Sequence, residues 1–109
     1  MIDEKLENEI EYKLAFVLAS VYMKIPWSKI GVKSAHKFFV NRIRSSCNSR
    51  NFKEFLDIFT RKCSVGFIKI DTDIINFLNE HLDTTMMLLR KESVFIANYA
   101  LEVVVELKK

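Results

Sequence analysis

The sequence predicts an all-α fold, and three observations predict it. Glycine and proline are scarce, with only Gly31, Gly66 and Pro26 in 109 residues. A β-rich domain needs many tight turns, and those turns lean on both residue types. Apolar residues recur at intervals of three and four along most of the chain, which is the period of a helix face. Asp, Ser and Asn stand just ahead of these periodic runs, where a side-chain oxygen can cap a helix. Half of the residues are hydrophobic, enough for one core at an ordinary domain length. The expected architecture is one helical domain over residues 1–109, a compact bundle of four to five helices with a long C-terminal helix or helix pair.

The first helix is expected over about Asp3 to Lys24. Leu6, Ile10, Leu14, Val17 and Val21 form one stripe, and Tyr12, Phe16, Ala19 and Met23 a second. A helix apolar on several sides usually sits centrally. Asp3, Glu4 and Glu7 suit its N-terminal dipole, and Pro26 stops it by disfavouring helical geometry at Ile25. A connector over Pro26 to Lys33 leads to a second helix from Ser34 to Ser46, with Ala35, Phe38, Phe39 and Ile43 on its apolar side.

Residues 45–50 are polar turn formers. Asn51 and Glu54 then have the spacing of a capping box for a third helix from Phe52 to Ser64. Phe52, Phe55, Leu56, Phe59 and Cys63 share a face there, and Gly66 stands where a C-terminal cap belongs. Phe67 to Ile70 reads as a buried extended connector or a very short strand. From Asp71 the apolar stripe runs through Ile74, Leu78, Leu82, Met86, Leu89, Ile96, Ala100, Val103 and Leu107. One helix here would have about 36 residues and span about 54 Å. A break near Asp83, Thr84 and Thr85 would divide it.

The net charge of +3 conceals a strong segregation. Residues 24–62 hold ten Lys or Arg against two carboxylates, while both flanks are net acidic. On the second helix, Lys33, Lys37, Asn41, Arg44 and Asn48 share one side by helical spacing. Phosphates favour such a stripe, because neutralising them releases condensed counterions. Neighbouring Asn and Ser can donate to phosphate oxygens. The expected nucleic-acid contacts are therefore Lys29, Lys33, Lys37, Arg42, Arg44, Arg50 and Lys53, with Trp27 free to stack on an unpaired base. An acidic protein surface is the competing partner, and a solvated basic face the plain alternative. Pro26 to Ser34 ahead of the basic helix also has the outline of a helix-turn-helix, with Gly31 and Val32 as the turn.

Catalytic motifs are missing from the sequence. It has no Gly-rich phosphate loop, no GxSxG and no HExxH. Glu80 and His81 are adjacent, so they do not share a helix face. Cys47 and Cys63 form no CxxC pair, and two cysteines make neither a disulfide framework nor a zinc site. The expectation is a protein with no catalytic residues, no metal and no cofactor. The acidic first residues lack the basic start of a signal peptide, and no apolar run reaches the roughly 20 residues a bilayer requires. The expected setting is cytoplasmic and without membrane contact. The expected role is a small accessory subunit on nucleic acid within a larger assembly. The alternative is a protein-binding adaptor or inhibitor, including a homodimer through the stripe from Leu89 to Leu107.

Overall fold

The computed structural model describes residues 3–109. Seven helices follow one another among them: α1 (Glu4–Tyr22), α2 (Trp27–Ile30), α3 (Ala35–Ser45), α4 (Phe52–Lys62), α5 (Thr72–Glu80), α6 (Leu82–Lys91) and α7 (Ser93–Leu107). The fold class is all-α. Seven helices replace the expected four to five because the connector after Pro26 closes one helical turn and the C-terminal region divides twice.

Four helix starts carry a side-chain cap. Asp3 accepts from the Lys5 N–H, Ser34 from Lys37, Asn51 from Glu54 and Asp71 from Asp73. Each removes one unpaired donor from a first turn, an effect of about 1 kcal/mol. The capping box at α4 is half closed: the Glu54 carboxylate turns to Arg50 at 3.5 Å.

Helix α1 is central. Ile10, Leu14, Ala15, Val17, Leu18, Ala19 and Val21 are fully buried. Its longest contact is with α7, where Ala97 and Ala100 are also fully buried. Small side chains on both helices let the backbones approach closely. The expected second stripe on α1 is only partly realised, since Tyr12 and Met23 are exposed. Beside α1, the phenylalanines build an aromatic column. Phe52 stacks on Phe55 at 5.7 Å, Phe55 on Phe59 at 5.4 Å, and Phe59 meets the edge of Phe39 at 5.5 Å. Such pairs add about 0.5–1.5 kcal/mol each beyond area burial.

The end of α4 differs from the sequence expectation. The left-handed residue is Ser64 (φ 57°), not Gly66. Ser64 N–H donates to the Arg61 carbonyl and Val65 N–H to the Thr60 carbonyl, the paired bonds of a Schellman motif. Residues 66–70 then form neither helix nor strand. Ile68 and Ile70 are half-buried, but Phe67 is 91% exposed, so this connector is not a buried one.

The C-terminal region is three helices rather than one or two. His81 (φ −114°, ψ 44°) separates α5 from α6, and Glu92 (φ −119°, ψ 34°) separates α6 from α7. The first break precedes the expected position. The buried Thr85 hydroxyl secures it by donating to the Leu78 and His81 carbonyls at 3.2 and 2.9 Å. These bends fold the chain back so that α7 lies along α1 and both α6 and α7 reach α3.

Candidate nucleic-acid interface

Helix α3 buries Phe39, Val40 and Ile43, which turns Lys37 and Asn41 outward by helical spacing. Arg42 and Arg44 straddle the buried Ile43 and bound this outer face on opposite flanks. Arg42 reaches toward α4, where its Nε donates to the Lys62 carbonyl at 3.1 Å. Its guanidinium lies over the Phe38 ring, 4.4 Å from the centroid. Arg44 reaches the other way and donates to the buried Ser93 hydroxyl at 2.7 Å, at the joint between α6 and α7.

On the Arg42 side lies a shallow hollow of about 290 Å³, lined by Val32, Lys33, Ser34, Lys37, Phe38, Asn41 and Arg42. Three of the sequence-predicted cations therefore surround one concavity. Lys33 and Lys37 are exposed and have no ion pair among the described residues. Lys29 is exposed on α2, the turn whose Trp27 packs against Phe38 at 5.5 Å.

The other predicted residues lie elsewhere. Arg50 stands before α4 and pairs with Glu54. Lys53 lines a different groove of about 470 Å³, made by α4, residues 66–70 and α5. Lys62, nine positions after Lys53 and so on the opposite side of α4, donates to the Ser45 carbonyl at 2.8 Å. The basic charge of residues 24–62 is thus divided between the outer face of α3 and the α4–α5 side.

Trp27 is committed to the fold. Its indole N–H donates to the Tyr22 carbonyl at 3.2 Å, and its ring packs on Tyr22 at 4.8 Å. Trp27 is partly buried, and these contacts hold it to α1 and α3. The helix-turn-helix outline fails for a related reason. Gly31 supplies the turn with φ 69°, but α2 is one turn of four residues, too short to brace α3 across a DNA backbone as a full helix would.

Residues with chemical potential are otherwise engaged or isolated. Cys47 and Cys63 are buried and unbridged. Burial pushes both thiols up, Cys63 to about 12, against the smaller opposing influence of Arg90 and Arg42 respectively. His81 packs on Phe77 at 4.7 Å. His36 Nδ1 is buried without a hydrogen-bond partner among the described residues. No group of three or more His, Cys, Asp or Glu among those residues has the placement to hold a metal ion. No helix among them is long and apolar enough to cross a membrane.

A face of opposite character involves α1 and α7. Glu7, Glu11, Glu92 and Phe95 line a hollow of about 250 Å³ with Met87 and Leu88. Tyr12 and Phe95 both approach Tyr99, at 6.3 and 6.2 Å. Desolvation and then Glu7 raise the Glu11 carboxyl above its ordinary range. Desolvation, Glu11 and other neighbours raise the Tyr99 hydroxyl in the same way.

Comparison with protein-family models, with curated proteins and with solved structures gives no match.

Proposed function

We propose that this chain is a non-catalytic accessory subunit that grips a nucleic-acid backbone through the outer face of α3, within a larger assembly. The observation that carries the reading is the hollow ringed by Lys33, Lys37 and Arg42, with no carboxylate paired to these cations among the described residues. Phosphates entering it gain charge-assisted hydrogen bonds and release counterions. Asn41 adds an amide and Ser34 a hydroxyl beside them. Lys29 extends the positive surface. The acidic α1–α7 face repels a polyanion and so helps to orient it. Arg44, Arg50 and Lys53 contribute less, since two are engaged within the chain and the third faces another groove. Two buried free thiols suit a reducing compartment such as the cytoplasm.

The test is direct binding of short single- and double-stranded DNA and RNA at two salt concentrations, by fluorescence anisotropy. The reading expects binding that weakens steeply with salt and is abolished by Lys33→Glu with Lys37→Glu. These two residues are better probes than Arg42 and Arg44, whose replacement also removes fold contacts. Absence of binding at both salt concentrations discards the reading.

One observation favours the alternative, a protein-interaction adaptor or inhibitor. Phe67 projects 91% exposed at the edge of the groove that also contains Leu56, Ile68, Ile70 and Ile75. The stripe from Leu89 to Leu107, the expected homodimer surface, is mostly used by the core: Leu89, Ile96, Ala100 and Val103 are buried. The exposed apolar side chains open to a homodimer include Phe67, Val94, Phe95, Val105 and, from that stripe, Leu107. Light scattering distinguishes this route: a strict monomer that retains no protein partner counts against it.

A further inference from the structure

We propose that the α3 hollow takes one unpaired nucleotide of a single strand, with its base stacked on the Arg42 guanidinium. This rests on the polyanion reading above and narrows it from a charged face to a ligand class.

The Arg42 side chain is fixed before any ligand arrives. Its Nε is bonded to the Lys62 carbonyl at 3.1 Å, and its guanidinium carbon lies over the Phe38 ring, 4.4 Å from the centroid. Phe38 is itself backed by Trp27 at 5.5 Å, Trp27 by Tyr22 at 4.8 Å, and Tyr22 by the buried Phe39 at 5.1 Å. A continuous series of rings therefore runs from the core to the guanidinium. An exposed arginine ordinarily loses side-chain freedom when it stacks on a ligand. Here neighbouring groups have already imposed much of that restriction, which favours binding.

The chemistry of the hollow then selects the ligand. A planar guanidinium stacks on planar π systems, which an ammonium does less well. In a duplex each base face is covered by its neighbours, so only an unpaired base can offer a face to Arg42. Lys33 and Lys37 line the same hollow and can meet the phosphates on either side of that base. Asn41 presents both a donor and an acceptor to a base edge. The volume of about 290 Å³ lies at the small end of ligand sites, suited to one base and not to a run of them. Stacking tolerates all four bases, so sequence preference should be weak.

The experiment compares three dye-labelled probes of about 12 nucleotides, a length within known single-strand site sizes. They are a thymidine strand, the same strand with every base removed, and a blunt duplex. At constant salt the thymidine strand should bind at least about fivefold more tightly than the abasic strand, the lower range of one stacked base. Arg42→Lys should reduce the thymidine strand to the abasic level and leave the abasic strand unchanged. If Arg42→Lys fails to fold, the comparison on the unaltered chain decides alone. Equal affinity for intact and abasic strands, or a duplex bound as tightly as the intact strand, overturns the stacking inference and leaves the backbone-gripping reading standing. No binding of any probe overturns both.

Discussion

Replacing Lys33 and Lys37 together by alanine removes two of the three cations around the α3 hollow. Each phosphate neutralised on a single strand contributes about 0.7 to the slope of log affinity against log salt. With the edge of the Arg42 guanidinium counted beside the two lysines, three phosphate contacts give a slope near −2, so affinity falls roughly twentyfold between 50 and 200 mM salt. One remaining contact gives a slope near −0.7 and a fall of only roughly threefold. Both lysines are exposed and lack an ion pair among the described residues, so the double replacement should change stability by less than about 0.5 kcal/mol. Weaker binding would then reflect lost contacts and not unfolding. The assay is anisotropy with a labelled single strand across that salt range, accompanied by a thermal melt. Lys53→Ala is the internal control. It removes one positive charge from the α4–α5 groove and should leave the slope unchanged. An unaltered slope in the double variant, or an equal drop in Lys53→Ala, refutes the assignment of phosphate contacts to this face.

Other consequences concern the fold. Ser64→Gly should stabilise the protein by about 1 kcal/mol, because Ser64 occupies a left-handed conformation (φ 57°) that glycine adopts without the Cβ penalty. A urea midpoint that falls would contradict this. Cys63, buried with its thiol held at about 12, should resist Ellman's reagent at pH 8 until urea unfolds the chain, and rapid labelling of the folded protein would count against that burial. Glu11 has a folded pKa raised by burial and by Glu7. Its ionised form is penalised in the fold, so stability is greatest below the ordinary value of 4.5 and declines as pH rises through the folded pKa. Glu11→Gln should therefore raise the melting temperature at pH 7 and change it little at pH 4, whereas equal shifts at both pH values would argue against the linkage.

What the sequence made legible was mostly local. Asp3, Ser34, Asn51 and Asp71 mark helix starts because a cap bonds an N–H two or three residues away. The breaks at His81 and Glu92 carry no proline or glycine. They coincide with bonds to groups distant along the helix or chain, such as Thr85 to the Leu78 carbonyl and Arg44 to Ser93. Nor could composition assign left-handed geometry to Ser64 over the nearby Gly66. That choice follows from where α4 exhausts its apolar face and Val65 turns inward to burial. The concentration of cations in residues 24–62 was visible as a count. Its division between two faces was not, because it depends on how α4 is rotated against α3 and α5.

The division also follows residue type, for a physical reason. Arg42, Arg44, Arg50 and Arg61 each direct Nε at an acceptor within the chain: a carbonyl, a hydroxyl, a carboxylate and a carbonyl in turn. Lys24, Lys29, Lys33, Lys37 and Lys53 are exposed and make no ion pair among the described residues, while Lys62 alone of the segment's lysines bonds a carbonyl there. Guanidinium is weakly hydrated and presents a rigid fork, so partial burial costs it less than it costs a strongly hydrated ammonium. Arg42 and Arg44 therefore brace α3 against α4 and the α6–α7 joint, Arg50 and Arg61 bond acceptors within their own stretch of chain, and the lysines other than Lys62 are left to solvent and its anions. Arg42 belongs to both sets, since the contacts that fix it also bring it to the hollow shared with Lys33 and Lys37. The segment thus pairs arginines tied to acceptors of their own chain with lysines left mostly to solvent.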